Sequence, residues 1–275
     1  MGKLDGRTVF ITGVARGQGR SHAVRFASEG ANVIGIDICA DIATVPYALA
    51  TPADLAETER LVAQTGQRML ALTADVRDPE AVQAAVDAGL REFGRVDTAI
   101  VQAGICCIGG EFANDNTAWH DTIGVNLTGS FNAMEAVVPA ILGGGRGGSI
   151  VITSSAAGLK AMMKARVATD RAYFSYTTSK FALVGLMRAY ALSLAAENVR
   201  VNSLHPTGVD TPMIQGEAVQ QYFARVSSMA SFHNAMPVEA ITAQDVSDAA
   251  LWLCSDESRY VTGVALPVDA GCLMV

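Results

Sequence analysis

Tyr176 and Lys180 stand four residues apart in Tyr176-Thr177-Thr178-Ser179-Lys180, inside a segment of helical period. Residues at i and i+4 share a helix face, about 5–6 Å apart at Cβ. An ammonium so placed favours the phenolate and draws a phenol pKa down from about 10 towards neutrality. Such a phenol can act as general acid or base at an alcohol or carbonyl oxygen. An ordinary amphipathic helix would carry the same pair, so the pair alone decides nothing. Ser155 ends the stretch Ser149–Ser155, SIVITSS, which reads as a strand with hydroxyls at its C-terminal end. Open α/β sheets bind ligands outside those strand ends. Asn126 lies inside a long helical pattern, where its poor propensity calls for another reason to be there.

A second set of residues points to a nucleotide. Thr12-Gly13-Val14-Ala15-Arg16-Gly17-Gln18-Gly19 follows a strand directly and opens a helix. In that context a glycine-rich turn brings backbone N–H groups and a helix N-terminus against a pyrophosphate. The spacing is T-G-x-x-x-G-x-G, not the usual G-x-G-x-x-G. The next strand ends at Asp37, where a carboxylate could accept hydrogen bonds from the adenosine ribose hydroxyls. It would repel a 2′-phosphate, which favours NAD over NADP. Arg16 could pair with such a phosphate, but the strand-end carboxylate should dominate.

The turn TGVARGQG, Asn126, Ser155 and YTTSK, in that order over essentially the whole chain, resemble the short-chain dehydrogenase/reductase family. The resemblance implies that Tyr176 takes the alcohol proton as hydride leaves the carbinol carbon. It implies that Lys180 lowers the Tyr176 pKa and binds the nicotinamide ribose, and that Ser155 hydrogen-bonds the substrate oxygen. Asn126 would hold a water linking Lys180 to a proton relay. Gly13, Arg16, Gly17, Gln18 and Gly19 would cradle the cofactor, with Asp37 on the ribose and Asp75 and Val76 at the adenine. Gln102, Ala103 and Gly104 would serve its other end, in Val101-Gln102-Ala103-Gly104 where the family usually reads Asn-Asn-Ala-Gly. Val209 and Thr211 match the positions that bind the nicotinamide carboxamide. A homotetramer is implied too, with the helices Ala118–Leu142 and Tyr173–Ala196 as a dimer face and the tail Val268-Asp269-Ala270-Gly271 helping to close it.

Residues 38–52 form an insertion about ten residues longer than the short βα loops usual in such folds. DICADIATVPYALATPADL resembles the carveol dehydrogenase-like, mycofactocin-associated branch, whose members are thought to hold NAD without exchange. The expectation is that Pro46, Tyr47 and Leu49 fold over the adenosine end, so that an external redox carrier must reoxidise the bound cofactor in place. The alternative is a surface loop that only packs on the sheet edge.

The elements that must position these residues are legible as alternating segments. Apolar Val- and Ile-rich runs at Thr8–Thr12, Asn32–Asp37, Arg68–Thr73, Val96–Val101, Ser149–Thr153, Arg200–His205 and Val264–Val268 read as strands. Segments of helical period lie between them at Ser21–Glu29, Asp54–Gln64, Pro79–Phe93, Ala118–Leu142, Tyr173–Ala196 and Ala243–Ser255. The pattern predicts an α/β fold: a single-domain, Rossmann-like, doubly wound sheet of about seven parallel strands with helices on both faces, spanning 1–275. Gly30, Gly66 and Gly94 stand where left-handed helix ends are expected. Gly143–Gly148 lacks the Lys-Ser/Thr of a phosphate loop and reads as a helix-to-strand connection. Loops at about 159–174 and 207–240 would wall the substrate pocket, where Met162, Met163, Met213, Phe223, Met229 and Met236 favour a hydrophobic secondary alcohol or ketone such as a monocyclic terpenol. Met and Phe at such spacing equally often serve a core.

Composition narrows the classes. Half of the 275 residues are apolar and 17% are charged, which excludes disorder over most of the length. Mean hydropathy is +0.28, yet no apolar run approaches the roughly 20 residues of a spanning helix. The net charge of −7, with no Lys/Arg block, argues against nucleic acid or an anionic membrane as partner. Five cysteines without zinc spacing read as reduced thiols of a cytoplasmic protein that holds no metal. The opening MGKLDGRTVFITG is too short in apolar residues for a signal peptide. A catalytically idle, NAD-binding regulatory or scaffold protein of the same fold would be expected to have lost Tyr176 or Lys180, and both are present.

Overall fold

The computed structural model describes residues 2–163, 170–226 and 233–275. Seven strands, β1 (Thr8–Thr12), β2 (Asn32–Asp37), β3 (Met69–Thr73), β4 (Thr98–Val101), β5 (Gly148–Thr153), β6 (Val199–Pro206) and β7 (Ala265–Val268), form one sheet in the order β3-β2-β1-β4-β5-β6-β7. Every pairing is parallel. Strand order reverses between β1 and β4, which opens a crevice at their C-terminal ends.

Alternation along a strand sends successive side chains to opposite faces. In β1, Phe10 joins one core and its neighbours Val9 and Ile11 join the other. The helices are α1 (Gly17–Ala27), α2 (Pro52–Ala63), α3 (Pro79–Phe93), α4 (Asn116–Ile123), α5 (Gly129–Gly143), α6 (Arg171–Leu194), α7 (Pro212–Gln215), α8 (Glu217–Val226) and α9 (Ala243–Cys254). Val82 of α3, Val137 of α5 and Leu183 of α6 pack in the Phe10 core. Phe26 of α1, Leu55 of α2 and Val246 of α9 pack in the other. Both faces are thus covered, as the unbroken apolar strands require. Reciprocal capping boxes start α2 (Thr51 with Asp54) and α9 (Thr242 with Asp245).

Strand limits agree with the sequence reading to within two residues. Gly30, Gly66 and Gly94 are left-handed where helices end, and the Gly143–Gly148 run joins α5 to β5 with Gly145 and Gly147 left-handed. Three points differ. Helix α1 begins at Gly17, not Ser21, because the glycine turn itself supplies the first helical turn. The single helix expected over Ala118–Leu142 is α4 and α5 joined by a π-helical turn, Gly124–Thr128, which contains Asn126. The short helices α7 and α8 lie in the 207–240 region, where the sequence pattern predicts only loop. No helix of the described residues is long and apolar enough to cross a membrane.

Candidate active site

The crevice becomes a cleft whose walls come from five strand ends. Gly13 and Gly17 take φ of +67° and +53° in the turn after β1. A Cβ on Gly19 would fall 1.9 Å from the Gly13 carbonyl oxygen, so only glycine lets α1 start so close to the strand. Gly13, Arg16, Gly17, Gln18 and Gly19 all line the cleft. The Gln18 Oε1 atom is buried and has no hydrogen-bond partner among the described residues.

Asp37 closes β2 with its carboxylate fixed from behind, accepting from Ala15 N at 3.0 Å and Cys39 N at 3.1 Å. Its remaining lone pairs are available to the cleft it lines. Asp75, beside Val76 on the wall, is gripped by the Arg77 guanidinium at 2.7–3.1 Å. Burial pushes the Asp75 carboxyl up, but the Arg77 hydrogen bonds hold it below its ordinary range. Gln102, Ala103 and Gly104 form a further stretch of wall after β4. Thr12 Oγ1 accepts from both Gln102 N and Ala103 N at 2.9 Å, and Gln102 Oε1 accepts from the Thr153 hydroxyl at 2.6 Å. Thr211 also lines the cleft, whereas Val209 is buried and bridges to Ile241 instead of facing it.

The four candidate catalytic residues cluster beyond Gly104. A Cβ on Gly104 would lie 3.4 Å from Asn126 Oδ1 and 3.5 Å from Lys180 Nζ. The π-helical turn explains the misplaced asparagine: it delivers Asn126 to the backbone after β4, accepting from Ile105 N at 2.8 Å and donating to Ile105 O at 3.0 Å. Lys180, buried on α6, donates to Thr153 O at 3.1 Å and lies 5.7 Å from the Tyr176 ring centroid. Ser155 Oγ accepts from Ala157 N at 3.1 Å, and the Ser155 hydroxyl lies close enough to the Tyr176 phenol to draw it down.

Electrostatics correct one expectation. Burial pushes the Tyr176 phenol well above its ordinary value, outweighing the downward pull of Ser155, and no drop towards neutrality follows from Lys180. The same burial brings Lys180 down to about 8. Both groups are out of water, and desolvation penalises each charged form.

The insertion is a strap and not an edge loop. Ile38, Ile42, Tyr47, Leu49 and Ala50 all line the cleft. The strap is tied to α4 where Thr44 Oγ1 donates to Asp121 at 2.7 Å, and is braced within itself where Leu49 N donates to Asp41 at 2.7 Å. Tyr47 reaches past the Asp37 and Asp75 end to the Gly104 end, where its phenolic oxygen accepts from Cys106 N at 3.0 Å. The Arg16 guanidinium sits over its ring, 5.9 Å from the centroid. Tyr47 against Cys106 was not readable in the sequence, because it depends on how far the strap spans.

The expected apolar wall is realised only in part. Met213 lines the cleft, and Met162 is buried, with the Met162 and Met163 backbone N–H groups donating to the Tyr173 hydroxyl. Phe223 and Met236 are 36% and 60% exposed, which takes Met236 out of any wall. Met229 lies outside the described residues.

A family model described as enoyl-(acyl carrier protein) reductase matches residues 13–272. The chain belongs to the short-chain dehydrogenase/reductase family. This short-chain dehydrogenase/reductase is 49% identical, over 98% of its length and 96% of the other's, to an uncharacterized oxidoreductase of Mycobacterium tuberculosis. It is 43% identical to (−)-trans-carveol dehydrogenase of Rhodococcus erythropolis, over 98% and 99% of the two chains. Among solved structures it is similar to carveol dehydrogenase from Mycobacterium avium in complex with NAD, with a TM-score of 0.90, 44% identity and full coverage of both chains.

Proposed function

We propose that the chain is an NAD-dependent dehydrogenase of small lipophilic secondary alcohols, with Tyr176 as its acid/base. The observation that carries this reading is the gathering of Asn126, Ser155, Tyr176 and Lys180 at the Gly104 end of a cleft suited to a dinucleotide. The cleft fits NAD on its own terms. Its glycine cradle admits no Cβ at Gly19, Gln18 Oε1 is buried without a partner among the described residues, and Asp37 presents a carboxylate where a 2′-phosphate would have to lie. Gly13, Arg16, Gly17, Gln18 and Gly19 would hold the pyrophosphate, Asp37 the ribose, Asp75 and Val76 the adenine, and Gln102, Ala103, Gly104 and Thr211 the nicotinamide half.

When bound, NAD supplies the hydride acceptor. The chain's own residues manage the proton. In alcohol oxidation the O–H proton passes to Tyr176 Oη as the carbinol C–H bond yields hydride; in ketone reduction Tyr176 returns a proton to the carbonyl oxygen. Ser155 holds that oxygen, and Lys180 stabilises the phenolate in the step that needs it. Similarity to carveol dehydrogenases, together with Met213 and Ile42 on the wall, supports a terpenol-sized apolar alcohol or ketone. The strap supports tight retention of NAD, with reoxidation by an external redox carrier. A homotetramer is supported by the exposed rings of Phe131 on α5 and Phe174 and Phe181 on α6, the helices expected to form a dimer face.

The test is a panel of terpene, cyclohexyl and steroid secondary alcohols with an artificial electron acceptor, with and without added NAD. Turnover of apolar secondary alcohols is expected, and no turnover of any of them would overturn the reading. Extraction of extensively dialysed protein should yield NAD; an empty site with steady turnover on added NAD would overturn retention.

A further inference from the structure

His205 is fully buried on β6 and has no part in the proposed chemistry. Its two ring nitrogens are both engaged. Nδ1 lies 2.8 Å from the Ser155 carbonyl oxygen, and Nε2 lies 2.8 Å from Ser203 Oγ. A carbonyl oxygen only accepts, so Nδ1 carries the proton; Nε2 then accepts from the Ser203 hydroxyl. Tautomer and ring orientation are both fixed by this pair of bonds.

What the ring holds is the segment that carries Ser155. The β5–β6 register ends at Thr153 opposite Leu204, and Ser154 N donates to Leu204 O at 2.8 Å. Beyond that point the chain enters the 3₁₀ turn Ala156–Gly158, capped by Ser155. The turn is tied to itself, with Gly158 N donating to Ser155 O at 2.8 Å and Ala157 N to Ser155 Oγ at 3.1 Å. Its bond to the sheet at Ser155 is the one from His205. The turn is therefore a small unit packed against α6, where Ser154 Oγ donates to Lys180 O at 2.8 Å, with the His205 bond as its tie to β6 at Ser155.

We propose that His205 is a positioning residue that aims the Ser155 hydroxyl at the substrate oxygen by anchoring the Ser155 carbonyl to β6. The proposal rests on Ser155 holding the substrate oxygen, as argued above. Misplacement of a reacting group by about 1 Å can cost about a hundredfold in rate.

The test uses His205→Leu, His205→Asn and His205→Gln in the full-length protein, assayed with the best alcohol of the panel. An asparagine amide nitrogen falls near the Nδ1 position and can still donate to Ser155 O; a glutamine amide reaches towards Ser203 instead. His205→Leu and His205→Gln should lower kcat by about 10- to 100-fold, with KM for the alcohol and NAD content unchanged, and His205→Asn should recover most of the loss. If the Leu variant does not fold, the Asn and Gln pair makes the same comparison. In a Ser155→Ala background, replacing His205 should cost little further kcat. Equal losses in the Asn and Gln variants, or the full loss repeated on top of Ser155→Ala, would overturn the proposal. Undiminished turnover in Ser155→Ala alone would overturn the reading beneath it as well, and so separates the two failures.

Discussion

Tyr176 sits where water is scarce, and its chemistry follows from that. With the phenol pushed up by burial, the protonated form dominates at neutral pH, which is the donor needed for ketone reduction. Alcohol oxidation needs the deprotonated phenol, so its rate should climb as pH is raised from neutral into the alkaline range, while reduction should not climb with it. Initial rates in both directions across that range test the sign; a flat oxidation profile would remove Tyr176 as the titrating base. Tyr176→Phe should retain NAD and lose at least about a hundredfold in kcat. Residue types and spacing made Tyr176, Lys180, Ser155 and the glycines visible in the sequence, because each has a local signature. The Tyr47 contact with Cys106 and the grip of Arg77 on Asp75 depend on tertiary placement, and the direction of the Tyr176 shift depends on burial that a helix period does not report.

At the scale of elements, the π-helical turn is the feature that a hydrophobic pattern of helical period conceals. Periodicity continues from α4 into α5, so one helix over Ala118–Leu142 was the natural reading; the extra residue per turn shows only as an asparagine where helix propensity disfavours it. A Cβ on Gly129, the first residue after the turn, would lie 2.5 Å from Val76 Cγ2. Gly129→Ala should therefore destabilise by about 1–3 kcal/mol in denaturant unfolding, through overpacking against the adenine-side wall. The strap is held both by apolar packing, with Ile42 buried in the core and Val45, Tyr47 and Leu49 against it, and by a few polar fastenings. Tyr47→Phe deletes the acceptor for Cys106 N, a bond worth about 1 kcal/mol, so NAD should escape several-fold faster in a dilution chase. An unchanged rate of escape would show that Tyr47 does not latch the strap. The extra length of the strap was legible from loop-length norms, but where it lands was not, since a loop's path is set by what it meets.

For the whole molecule, the parallel sheet of seven strands with helices on both faces follows from alternating apolar segments and was the most legible part of the chain, whereas the strand order has no local signature. The polar interior has a consequence for acid stability. His22 and His205 are both buried, and burial lowers each from 6.5 to about 4. The unfolded chain then binds more protons than the folded one between those values, so stability is fully present above pH about 6.5 and falls as pH drops towards 4. Each histidine contributes up to about 3 kcal/mol of that loss. Urea unfolding at stepped pH should show the decline; His205→Asn should make it shallower. Light scattering should give the mass of four chains, and charged substitutions at Phe174 and Phe181 should lower it.

The strap also bears on how electrons would be counted in this protein. If Thr44, Tyr47 and Leu49 keep the nicotinamide in place, each chain is a store for one hydride and not a catalyst drawing on a shared pool. Without a carrier, added alcohol should be consumed once per chain and then no more, leaving the reduced cofactor's absorbance on the protein fraction after gel filtration. Supply of oxidised nucleotide in solution would set nothing.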